Sequence, residues 1–84
     1  MMVRASNAGQ ARPMLERLKR EYKMSQRDIA AWCRTTQPMV TWWMTGKHMA
    51  NDEHLDRLRE ALVLLAGRSI KYKGQALDIL MGEE

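Results

Sequence analysis

Side chains able to make and break bonds are few in this sequence and poorly spaced for it. Cys33 is the single cysteine, which excludes an intramolecular disulfide and a cysteine-built metal site. His48 and His54 stand six positions apart, a spacing that fits neither two zinc ligands one helical turn apart nor a zinc finger. No paired carboxylates and no nucleophile beside a base can be read from the order of residues, and Cys33 is best explained as core. The expectation is a protein that is not an enzyme and uses no metal or other cofactor.

Positive charge is better supplied, and it is unevenly placed. The chain has a formal net charge of +4 and a pI near 9.6. Arg4, Arg12, Arg17, Lys19, Arg20 and Lys23 outnumber Glu16 and Glu21 in the first 24 residues. Arg27, Arg34 and Lys47 face only Asp28 up to residue 50, whereas Asp52, Glu53, Asp56 and Glu60 reverse the sign over residues 51–66. A basic N-terminal half permits a polyanionic partner on one face and leaves another face for something else. No apolar run approaches the ~18 residues of a membrane span, and no signal-peptide core is legible. A reducing, cytoplasmic setting without a membrane partner is expected.

The elements that must position these charges are helices. The 84 residues, 45% of them hydrophobic and none of them Phe, are enough for one small domain with a core of Leu, Met, Ile, Val and Trp. Residues 1–12 show no periodicity and read as a flexible basic arm. Pro13 suits a helix's first turn, and Met14, Leu15, Leu18 and Tyr22 then recur at helical spacing, predicting a first helix over 13–22. Ser25 and Asp28 form a variant capping box flanked by Met24 and Ile29 as a hydrophobic staple, so a second helix begins near Gln26 with Ile29, Ala30 and Cys33 inward. Thr36 is the N-cap of a third, with Pro38 in its first turn, Met39, Val40 and Trp43 on one side and Gly46 at its end. Asn51 or Asp52 caps a fourth, carrying a stripe of Leu55, Leu58, Leu62 and Leu65 that stops at Gly67. Beyond Gly67 the pattern weakens: Ile70 and Tyr72 alternate with polar residues as in a short strand, and residues 76–81 fit a last helical turn or two. The fold class expected is all-α: a compact four- to five-helix bundle with a central helix-turn-helix, ending in a short strand or helix.

Two short helices joined by a three- or four-residue turn form the helix-turn-helix unit. The stretch from Gln26 to Gly46, with Ile29-Ala30, Cys33, Val40 and Trp43 in its apolar positions, resembles the lambda-repressor-like group that includes Cro, the phage repressors and the Xre-type regulators. The resemblance covers roughly residues 13–66. It departs from the group's pattern at the turn, where Arg34 replaces the usual Gly and Thr35 the usual aliphatic residue. In such proteins the start of the second helix of the unit enters the major groove. Gln37, Thr41 and Thr45 lie outward there, able to pair with adenine or to offer a hydroxyl or methyl to a base, and Pro38 offers carbon to a thymine methyl. The resemblance further implies a phosphate contact for Gln26, with a brace to Gln37. Arg27, Lys47 and Asn51 are expected at phosphates, and Trp42 at the sugar-phosphate backbone or a base edge.

The group's usual way of working implies a homodimer on two half-sites of double-stranded DNA. The dimer surface would be formed by the end of the fourth helix and a C-terminal extension over residues 67–84, where Val63, Leu64, Ile70, Leu77, Ile79, Leu80 and Met81 exceed what a small core needs; self-packing of the tail is the rival. Trp32 falls where the group leaves residues exposed, which points to an interface unless the C-terminal segment folds back over it. The function implied is a sequence-specific transcriptional regulator, a repressor of phage, prophage or small bacterial type. The alternative is an antitoxin or protein-binding adaptor on the same fold, engaging a regulatory protein partner.

Overall fold

A computed structural model describes residues 3–83, with side chains from Gln10 onward. Five helices run in order: α1 (Val3–Tyr22), α2 (Gln26–Cys33), α3 (Gln37–Thr45), α4 (Asp52–Leu65) and α5 (Gln75–Gly82), with no strand among the described residues. The small all-α bundle is the expected one, and the C-terminal ambiguity resolves to a helix. Its start differs from expectation. The segment read as a loose arm is helical from Val3, and Pro13 lies inside α1 rather than in its first turn. Met1, Met2 and the side chain of Arg4 lie outside the described residues. The continuation has a physical basis in Ala11: with Leu15, Leu18 and Tyr22 it forms a buried stripe that begins before Pro13 and offsets the proline's missing backbone donor.

The remaining helices start and stop where local chemistry directs. The Ser25 hydroxyl accepts from the Asp28 amide at 3.0 Å and the Asp28 carboxylate accepts from the Ser25 amide at 3.3 Å, which completes the capping box. Met24 and Ile29, the staple pair, are both buried. Thr36 caps α3 by accepting from the Met39 amide, and Asn51 caps α4 by accepting from the His54 amide at 2.8 Å. Gly46, at φ +84°, ends α3 in the left-handed region where a side chain would be strained.

One core joins the five helices. α1 packs on α3 and α4, α2 on α3 and α4, and α5 closes the bundle against α2 and α4. Leu55, Leu58, Ala61 and Leu65 form the inner stripe of α4, with Leu62 at its margin rather than at its centre. In α5, Ala76 and Leu80 are buried and Leu77 and Ile79 half-buried, and Leu64 of α4 and Ile70 of the connecting segment also lie half-buried against the core. Most of the apolar excess expected at a dimer surface is therefore used within the protein's own fold; Val63 and Met81 stay exposed. Among the described residues no helix is long and apolar enough to cross a membrane.

Candidate nucleic-acid interface

The junction between α2 and α3 is three residues long, Arg34 to Thr36, and its geometry is specific. Arg34 is left-handed at φ 59° and ψ 48°. Its amide donates to the Ala31 carbonyl, and the Thr35 amide donates to the Ala30 carbonyl at 2.9 Å. These two bonds are the Schellman closure of α2. The position that the resemblance gives to glycine thus has the left-handed backbone that favours glycine, held here by an arginine at a cost of about 1 kcal/mol. Ile29, Ala30, Cys33, Val40 and Trp43 are all buried in the angle of the unit, so each apolar position of the motif serves the core. Burial pushes the Cys33 thiol from 9.0 up to about 12, against the opposing pull of Arg57, and it keeps its proton at neutral pH.

Outside that core, α3 presents the residues expected to read a partner. Gln37 and Pro38 are exposed, and Thr41 and Trp42 are half-buried. Together they line one open surface depression. The brace from Gln26 reaches Thr41 rather than Gln37: the Thr41 hydroxyl donates to Gln26 Oε1 at 2.8 Å, with the Gln37 carbonyl a longer second acceptor at 3.3 Å. One helical turn separates Gln37 from Thr41, and Gln26 at the first position of α2 meets the nearer of the two. This contact ties the two helices together across the turn and leaves the Gln37 side-chain amide without a hydrogen bond among the described residues. Thr45 is exposed, and its hydroxyl turns back to the Trp42 carbonyl at 3.4 Å.

At the far end of α3 a small aromatic and cationic cluster forms. The Lys47 ammonium lies 5.1 Å from the Trp42 ring centroid, and the His48 ring lies 4.9 Å from it on a tilted plane. Lys47 is exposed, as is Arg27 near the start of α2. Asn51 is exposed too, but its side-chain oxygen is the α4 cap, so its first role is structural. Sequence reasoning did not place His48 in this group; its signal was adjacency to Lys47 in the loop just past the end of α3.

Of the two readings of Trp32, the exposed interface is corrected: the residue is buried, at 1% exposure, on a helix against which the C-terminal α5 folds back. Its indole N–H donates to the Arg57 carbonyl at 2.7 Å. The Arg57 guanidinium lies over the ring at 3.7 Å and donates back to the Trp32 carbonyl at 3.0 and 2.7 Å. The signal was available, because Trp32 stands three residues after Ile29 and so on the same helical stripe. Trp43, by contrast, is core as expected, with the His54 ring 4.9 Å away.

Among the described residues, no group of three His, Cys, Asp or Glu side chains is placed to hold a metal ion. Compared with known proteins, the chain matches no protein-family profile, no curated protein and no solved structure.

Proposed function

We propose that the protein is a cytoplasmic, sequence-specific DNA-binding regulator of transcription, a repressor that reads the major groove with α3. The single observation that carries this reading is the α2–turn–α3 unit. Its Schellman-closed turn and its Gln26–Thr41 clamp fix a face of Gln37, Pro38, Thr41 and Trp42, while Ile29, Ala30, Cys33, Val40 and Trp43 are buried in the core. A rigid, outward helix start with an uncommitted amide is what base readout needs.

In this mechanism the Gln37 amide donates and accepts at an adenine edge. The Gln26 side-chain N–H group, its oxygen already engaged by Thr41, donates to a phosphate at the start of α2. Arg27 and Lys47 add phosphate contacts on either side of the reading face, and Lys47 also steadies Trp42 against the backbone. One such unit reads few base pairs, so the regulator acts as a two-fold dimer on half-sites about 34 Å apart. Occupancy of a promoter then blocks transcription sterically.

The test is binding to the DNA upstream of the protein's own gene, against random duplex, at two salt concentrations. Tighter binding to the upstream DNA with a steep salt dependence is the expected result. Absence of binding even at low salt would overturn the reading in favour of an adaptor that binds protein.

A further inference from the structure

A groove that shares no lining residue with the depression on Gln37, Pro38, Thr41 and Trp42 runs between α1 and the end of α3. It consists of two adjoining depressions. The first is lined by Arg12, Pro13 and Glu16 from α1 and by Trp43, Met44 and Gly46 from the end of α3. The second is lined by Glu16, Lys19 and Arg20 from α1 and again by Met44. Glu16 and Met44 belong to both, which makes the two one feature. From Arg12 to Arg20 it follows α1 for about 12 Å, the reach of roughly four extended residues or two helical turns of another chain.

Lys19 and Arg20 stand at one end, and neither makes an ion pair or hydrogen bond among the described residues. Arg12 stands at the other and pairs with Glu16 at 3.5 Å, both side chains well exposed. Between these ends the lining is carbon: Pro13 is exposed and Met44 half-buried, beside the buried Trp43. An unbranched thioether adapts to whatever packs on it, which suits recognition of protein. A phosphate backbone repeats its negative charge without a break and would meet the Glu16 carboxylate midway between the cations. A peptide can instead set an apolar side chain on Pro13 and Met44 and carboxylates at the uncommitted Lys19 and Arg20. We propose that the α1–α3 groove docks a short acidic segment of another protein, whose apolar side chain packs on Met44 and whose carboxylates meet Lys19 and Arg20.

The experiment selects a random peptide library, displayed on phage, against the immobilised full chain. Enriched sequences should carry Asp or Glu within a few residues of Leu, Ile, Met or Phe. The most enriched one, made as a labelled free peptide, should bind about tenfold more weakly to Met44→Glu and to the double variant Lys19→Glu/Arg20→Glu. Lys71→Glu/Lys73→Glu makes the same change of net charge at exposed positions outside the groove and should bind the peptide as the parent does. Circular dichroism checks that each variant is folded, and the Lys19/Arg20 variant, with no bond to lose, covers the case in which Met44→Glu is not. Absence of an acidic and apolar consensus, or a peptide that binds the folded Lys19→Glu/Arg20→Glu protein as tightly as the parent, would overturn the inference. Weaker binding of random duplex DNA by that variant, without any such consensus, would assign its cations to DNA instead. The DNA-binding reading stands or falls by its own test on the upstream duplex.

Discussion

Arg57 illustrates how one side chain can do what sequence patterns do not announce. It sits between Leu55 and Leu58 on α4, where a charged residue reads as solvated surface. Its guanidinium instead covers the Trp32 ring and makes two bonds to the Trp32 carbonyl, while its own carbonyl receives the indole N–H. A planar fork is required to stack and donate at once, so lysine is no substitute. Arg57→Lys should lower stability by about 1–3 kcal/mol, seen as a lower urea midpoint with unchanged slope; an unchanged midpoint would show the pairing to be incidental. This reciprocal pair was not legible in the sequence because it joins residues 25 positions apart through backbone carbonyls, which carry no residue-type signal. The capping pair Ser25 and Asp28 was legible for the opposite reason: both partners are side chains at a fixed short spacing.

At the scale of elements, most helix limits followed from caps and stops that act locally. The second, third and fourth helices begin after Ser25, Thr36 and Asn51 as their side-chain chemistry predicts. The first did not, because Pro13 is a local signal for a start and the burial of Ala11 is a tertiary one. Asn51 shows the limit from another side. A short polar residue in a loop after α3 serves equally well as a phosphate ligand or a helix cap, and only the 2.8 Å bond to the His54 amide distinguishes them. Asn51→Ala should therefore cost about 1 kcal/mol of stability, whereas Asn51→Ser should largely preserve it. Thermal unfolding of the three proteins checks the ordering, and equal midpoints would remove the cap assignment. Gln37→Ala is the counterpart on the proposed reading face: with no side-chain hydrogen bond to lose among the described residues, it should change stability by no more than about 0.5 kcal/mol, read from the same thermal unfolding.

The whole molecule is small, so each buried side chain carries a large share of its stability. α5 is the clearest case. It lies outside the region covered by the resemblance, yet it packs on both α2 and α4 and buries Leu80 completely. It thereby supports the scaffold of the proposed reading face through α2. Leu80→Ala should cost about 3 kcal/mol, lowering the unfolding temperature by roughly 15 °C; a shift of only a few degrees would mean that α5 is a loosely attached tail. The sequence left this helix ambiguous because eight residues with a left-handed Gly74 before them and no side-chain cap lack the terminal signals that identified α2 to α4. Its apolar residues were noticed, but whether they meet this chain or another depends on a fold-back that periodicity does not encode.

The three tryptophans divide in a way that gives the protein a built-in optical reporter. Trp32 and Trp43 are sealed in the core, at 1% and 2% exposure, and Trp42 alone of the three lies partly at the surface. Iodide should therefore reach essentially one indole in the native state, and the proximity of Lys47 should make that anion a better quencher than caesium. Light emitted by a single ring on the exposed side of α3 turns any occupant of that surface that meets the ring into a change in colour and brightness that needs no label.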